Sequence, residues 1–213
     1  GGKAVVVNGY KCIGHSLCAE ACPVGAITMV MANPSMSADL PYLTPDYETS
    51  VANLFIVGEL GGLALVKNAV NQGRDCVDTI AQRLSLAGLG RSDTDRSAAG
   101  VYDVLIVGAG PAGISASLRA IETKLNYITI ERDEIGGTVA KYPRQKLVMT
   151  SPFEFPMYGK FKKLELSKEN LLSFWNTILQ RADFKPHTNE SVEDIRKDQE
   201  DIFTVATQKA QYR

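Results

Sequence analysis

Residues 102–131 constrain the fold of this 213-residue chain more than any other stretch. Tyr102-Asp-Val-Leu-Ile-Val107 reads as a buried strand, and Gly108-Ala-Gly110-Pro111-Ala112-Gly113 follows it directly. A helical pattern then runs to about Thr123, and Tyr127-Ile-Thr-Ile-Glu131 reads as a second strand. Strand, glycine turn, helix and strand in this order make a βαβ unit, which calls for a parallel sheet covered by helices. Gly108 permits the tight turn, Gly110 lets the backbone approach a pyrophosphate, and Gly113 lets the helix pack close on the strand. Glu131, 23 residues after Gly108, stands where an acidic side chain accepts from the ribose hydroxyls. A Gly-x-Gly-x-x-Gly run alone is weak, but strand before, helix after and acid at the next strand end complete the dinucleotide fingerprint. A glycine turn without ligand is the alternative.

FAD and NAD(P) both suit such a turn. Residues 102–117, with Glu131-Arg132-Asp-Glu-Ile-Gly136-Gly137-Thr138 downstream, resemble the FAD half-site of thioredoxin-reductase-like flavoproteins, particularly the bacillithiol-disulfide-reductase-like branch. The resemblance implies FAD as cofactor, held at Gly108, Gly110, Pro111, Ala112, Gly113, Glu131 and Arg132, with Gly136, Gly137 and Thr138 lining its flavin side. Residues 189–195 are similar to the segment that runs beside adenine in that family, which implies backbone contacts at Val192. Thr49-Ser-Val-Ala-Asn-Leu-Phe-Ile-Val-Gly58-Glu59-Leu-Gly61-Gly62, running into Lys67-Asn68 and Gln72-Gly73, resembles the family's closing FAD motif. There the acid after glycine meets the ribityl chain or phosphate; here Glu59 takes a place usually held by Asp. The order is therefore closing motif, then opening motif. Either residues 36–86 finish a flavin domain begun upstream, or they fold back on residues 101–213 as a permuted domain. The first reading is the expectation, since it accounts together for a start on Gly1 rather than Met and for a half-sized N-terminal unit.

That unit is Lys11-Cys12-Ile-Gly-His15-Ser-Leu-Cys18-Ala-Glu-Ala-Cys22-Pro23, followed by Val-Gly-Ala-Ile. Iron–sulfur loops use C-x2-C-x2-C-x3-C-P, and Cys12, Cys18 and Cys22 fall on that spacing with His15 in the second slot. The segment resembles ferredoxin-type iron–sulfur segments over about residues 4–31. The resemblance implies a 4Fe-4S cluster, or a 3Fe-4S one if His15 is not a ligand. A structural zinc accepts the same donors, usually as two separated pairs, and unliganded thiols are the plainest alternative.

Four parts follow: 1–32, a small α+β ferredoxin-like iron–sulfur segment; 33–87, the closing segment of an FAD-binding domain; 88–100, a Gly/Ser/Asp-rich linker; and 101–213, the N-terminal part of an FAD/NAD(P)-binding domain. The fold class is α/β, a Rossmann-like FAD-binding three-layer fold. Residues 53–57 read as a short strand, 61–86 as a helix whose apolar stripe includes Cys76, and 168–181 as an amphipathic helix capped by Ser167 with Trp175 on its buried face. Cys76 reads as core rather than ligand. His187 reads as a surface histidine, and Lys141, Arg144 and Lys146 with Tyr142 as a solvated patch.

The formal net charge of −1 offers no basic field for nucleic acid, and no apolar run approaches the roughly 20 residues of a membrane span. No start resembles a secretory signal, so a reducing cytoplasmic setting is expected. The implied activity is that of a flavoprotein oxidoreductase passing electrons between NAD(P)H, FAD and the cluster, with a redox partner protein or small-molecule acceptor, the remaining polypeptide and a second copy in a homodimer as expected partners. Three rivals stand beside it: a disulfide reductase, against which the chain offers no Cys-x-x-Cys; a redox-sensing nucleotide-binding module; and an NAD(P)-binding subunit without flavin.

Overall fold

The computed structural model describes residues 20–24, 41–61, 65–89 and 100–213. Most of the segment that resembles an iron–sulfur unit, with the ligand candidates Cys12, His15 and Cys18, lies outside the described residues.

The βαβ unit forms as its pattern dictates. β1 (Val104–Val107) pairs in parallel with β2 (Tyr127–Ile130), joined by α2 (Pro111–Thr123), which follows α1 (Val66–Leu86) in the chain. Pro111 opens α2, where its missing N–H is no loss. Lys124 ends the helix in a left-handed cap at φ 59°. Beyond β2, His187 extends the parallel pairing: its N–H donates to the Thr129 carbonyl, and the Glu131 N–H donates to the His187 carbonyl.

Downstream come β3 (Leu147–Met149), β4 (Phe153–Phe155), β5 (Gly159–Phe161), β6 (Glu165–Ser167) and α3 (Lys168–Arg181). β3 pairs with β6, and β4 with β5, both antiparallel. The Ser167 hydroxyl caps α3 by accepting from the Asn170 N–H at 3.2 Å, as its position predicts. A meander of β7 (Val192–Lys197), β8 (Phe203–Thr207) and β9 (Gln211–Tyr212) closes the described chain.

One core cluster joins α2 and α3 to the β3–β6 region, with Ile114, Leu118, Phe155, Leu171 and Trp175 almost fully buried. A second gathers Val104 and Ile106 of β1, Ala116 and Ala120 of α2, and Leu125. α1 contributes Val70 to the first and Val77 to the second. Among the described residues, no helix is long and apolar enough to cross a membrane.

Two local expectations are corrected. Residues 53–57 do not form a strand: Phe55 makes an isolated antiparallel bridge with Glu48, and among the described residues no strand pairs with this run. The helix expected from 61 begins at Val66, after a 3-10 turn at Glu59–Gly61.

Candidate functional site

The glycine turn between β1 and α2 is built around three different demands. Gly113 is a packing position: a Cβ there would stand 1.8 Å from the Gly108 carbonyl oxygen, so only hydrogen fits between helix and turn. Gly108 has φ +98°, a conformation that L side chains avoid. Gly110 needs no special dihedral, with φ −76° and ψ −174°. At Gly108 and Gly110 a Cβ would meet nothing within 4 Å. The backbone there faces open space that a side chain would fill, which is what a pyrophosphate lying on main chain requires. α2 begins without a side-chain cap, leaving first-turn N–H groups and the positive helix end for an anion.

Glu131 follows β2 and is buried at 7% exposure. Its carboxylate accepts from the Ala109 N–H at 2.6 Å and the Asp133 N–H at 2.8 Å. These bonds hold an acid against the glycine turn, and each oxygen retains a lone pair for a ribose hydroxyl. The backbone of Glu131 is clamped as well: its carbonyl accepts from the Glu190 N–H. Glu190 is itself buried, and its carboxylate accepts from the Thr207 hydroxyl at 2.6 Å and the Tyr212 hydroxyl at 2.8 Å. Burial pushes the Glu190 carboxyl upward, but the two hydroxyls and nearby His187 outweigh it and hold the group below its ordinary range. The same contact, with burial, pushes the Tyr212 phenol up to about 12. His187 is exposed, as its loop position predicts, and its Nδ1 lies 3.0 Å from the Tyr212 hydroxyl.

The second glycine pair arrives from 26 residues further along. The Gly136 N–H donates to the Ala109 carbonyl at 2.8 Å, and a Cβ on Gly137, at φ +54°, would stand 3.1 Å from the Gly110 Cα. Thr138 lies in the 3-10 turn Gly137–Val139 beside them. Arg132 points outward beside Asp133, and Val192 opens β7 two residues after Glu190. An open cleft of about 570 Å³ flanks this end, lined by Asp133, Ile135, Lys141, Asn176, Thr188 and Asn189.

The upstream glycine motif reaches the same turn. Gly58, at φ +84°, faces Ala112: a Cβ on it would come within 3.0 Å of the Ala112 methyl. Its N–H donates to the Gln72 side chain at 2.7 Å. The half-buried Tyr142 phenol is pushed up by burial and, to a lesser extent, by the Glu59 carboxylate. Tyr142 packs against the first core cluster instead of lying on a solvated patch. Gly58, Ala112, Gly108 to Gly113, Glu131, Gly136 and Gly137 are brought together.

Of the cysteines, Cys22 is described and partly buried, and Cys76 lies buried on α1. Burial pushes the Cys76 thiol up to about 12, which makes it a core residue and a poor nucleophile. Among the described residues no group of three or more His, Cys, Asp or Glu side chains is placed to hold a metal.

Known proteins match part of the chain. A thioredoxin reductase from Mycoplasma pneumoniae is 39% identical over 71 residues, covering 30% of this chain and 22% of the relative. A ferredoxin--NADP reductase from Rickettsia conorii is 31% identical over 111 residues, covering 50% and 29%. Among solved structures, thioredoxin reductase from Streptococcus pyogenes matches with 27% identity and a TM-score of 0.37, over 53% of this chain and 32% of that one. Bacillithiol disulfide reductase Bdr from Staphylococcus aureus matches with 20% identity and a TM-score of 0.43, over 51% and 34%. The chain thus spans about a quarter of the length of the curated relatives it matches. The family model for pyridine nucleotide-disulphide oxidoreductases matches residues 105–213, the stretch that carries the glycine turn, Glu131 and the second glycine pair, and the chain belongs to that family.

Proposed function

We propose that this chain is part of an FAD-dependent oxidoreductase that moves electrons between NAD(P)H, a flavin and an iron–sulfur centre. The observation that carries the flavin reading is the bare backbone at Gly108 and Gly110, open to a ligand, with a buried carboxylate fixed beside it. When bound, FAD supplies a centre that takes two electrons together and releases them singly. The residues of the chain supply placement: first-turn N–H groups of α2 and the Gly108–Gly110 backbone for the pyrophosphate, Glu131 for the adenosine ribose, and Gly136, Gly137 and Thr138 for the flavin side. Arg132 and Val192 would border the adenosine end. A carboxylate beside the ribose disfavours a 2′-phosphate at this position.

The iron–sulfur part of the proposal rests on the spacing of Cys12, His15, Cys18 and Cys22 alone. A redox partner protein or small-molecule acceptor, a cytoplasmic setting and a homodimer are parts of the same proposal. A resident dithiol is disfavoured, since Cys76, the cysteine nearest in sequence to the flavin motifs, is buried with its thiol pushed up to about 12. An anaerobic absorption and paramagnetic resonance spectrum, with iron, sulfide and FAD counted per chain, tests both cofactors at once. One FAD and three or four irons per chain are expected, with bleaching of the flavin by NADH or NADPH in the complete polypeptide. Protected preparations that contain neither FAD nor iron would overturn the proposal.

A further inference from the structure

We infer that residues 41–89 close the FAD site of residues 101–213 within one chain, so that the two halves of the site stand in reversed order along the sequence. The inference builds on the reading that the glycine turn seats FAD.

The contact between α1 and α2 is too close to be incidental. A Cβ on Gly73 would stand 2.2 Å from the Ala112 carbonyl oxygen and 3.1 Å from the Ala116 nitrogen. The two helices therefore touch backbone to backbone, and glycine alone fits at the crossing. Polar pairs fix the register on either side of it. The buried Ser115 hydroxyl donates to the Val70 carbonyl at 2.7 Å, and Arg119 Nε donates to Asp78 Oδ1 at 2.6 Å. Val70 and Val77 are 0% and 1% exposed, and each enters a different core cluster made otherwise of residues from 101–213. At a separate place, the Lys197 ammonium on β7 donates to the Ala52 carbonyl, holding the loop before Gly58.

The path of the chain agrees. Gly73 of α1 lies against Ala112 in the first turn of α2, and Leu84 near the end of α1 packs against the cluster that holds Val104 and Leu125. The last turns of α1 and the first residue of β1 thus share one cluster. Gly58 reaches the glycine turn from the N-terminal side of the sequence.

A specific protease site placed within residues 90–99 of the full chain tests this, with cleavage after folding followed by gel filtration and FAD titration. The two pieces are expected to co-elute at the mass of one chain and to keep FAD. Gly73→Leu is expected to separate them and to weaken FAD binding more than tenfold. Should that variant fail to fold, Asp78→Arg and Arg119→Asp each weaken co-elution, and the double exchange restores it. Separation of the pieces, with FAD kept by residues 101–213 alone, would overturn the inference. Exchange of pieces between differently labelled copies would overturn closure within one chain. Co-elution is read without flavin, so a chain that binds no FAD still reports on the docking, and the two readings fail separately.

Discussion

Gly110→Ala separates the ligand's demand on the glycine turn from the fold's. Gly110 sits at φ −76° and ψ −174°, which alanine adopts without strain, and the added methyl would meet no protein atom within 4 Å. Two small terms act on the fold with opposite sign. Alanine restricts the unfolded chain and stabilises by about 0.4–1 kcal/mol; as the N-cap of α2 it is poorer than glycine by about 1 kcal/mol. The net change in the ligand-free protein is within about 1 kcal/mol. The same methyl occupies the space over which the pyrophosphate would lie, and overfilling a tight contact costs about 1–3 kcal/mol. At about 1.4 kcal/mol per tenfold, FAD binding weakens roughly 5- to 150-fold.

Gly113→Ala is the matched control with the opposite outcome. Its Cβ would stand 1.8 Å from the Gly108 oxygen, and that residue cannot withdraw because its N–H donates to the Ile130 carbonyl at 2.7 Å. The cost falls at or above about 3 kcal/mol, a loss of about 6–12 °C in melting temperature for a chain of this size. Thermal unfolding by circular dichroism without ligand, and FAD titration by fluorescence quenching, read the two effects apart. If Gly110→Ala bound FAD like the parent, the pyrophosphate would not lie on Gly110. If it melted with Gly113→Ala, the space above Gly110 would not be free, and the reasoning would fail either way.

Three further outcomes are expected. Ser115→Ala removes the buried bond to the Val70 carbonyl and lowers stability by about 1 kcal/mol in urea unfolding; an unchanged midpoint would contradict the contact between α1 and α2. Glu48 is held below the ordinary carboxylate range by hydrogen bonds from Arg83 and the Asn53 N–H, and Glu190 by those from Thr207 and Tyr212. A depressed carboxylate contributes stability that is complete above its unfolded value, about 4.3, and is lost as pH falls through the folded one. Glu48→Gln and Glu190→Gln should therefore each flatten the fall in stability below about pH 4.3, and parallel pH curves for variant and parent would refute this. Cys76, with its thiol pushed up to about 12, should resist iodoacetamide in the folded chain and label on denaturation; modification of the native protein on the timescale of an exposed thiol would place it elsewhere.

The βαβ unit was legible because everything that makes it is local. Apolar runs, a glycine turn and a helix of ordinary length lie within thirty residues, and their spacing fixes the pairing of Val104 with Tyr127. The cap on α3 was legible for the same reason. Residues 53–57 misled because an apolar run of strand length states a propensity and not a partner; Phe55 found only Glu48. Strands β3 to β6 went unread because each has three residues, too few for alternation to show. Glu190 went unread because the partners that hold it, Thr207 and Tyr212, lie on β8 and β9.

Gly73 is where the sequence carried a signal that periodicity alone does not use. A glycine inside a helix costs about 1 kcal/mol against alanine, so one kept in the middle of an apolar stripe asks for a reason. The reason is Ala112: with the glycine Cα facing its carbonyl, the crossing admits no methyl on α1, while the Ala112 methyl itself lies against Gly58. Two small residues, 39 positions apart and on opposite sides of the Gly/Ser/Asp-rich stretch, fit one another as the two sides of a single crossing do. Helix packing depends on the shape of the surfaces and not on which came first in the chain, provided that the free ends lie close enough to be joined. Leu84 packs against the cluster that holds Val104, so the end of α1 and the start of β1 share one cluster, and a closing segment placed before its opening partner can still make the contacts it would make after it.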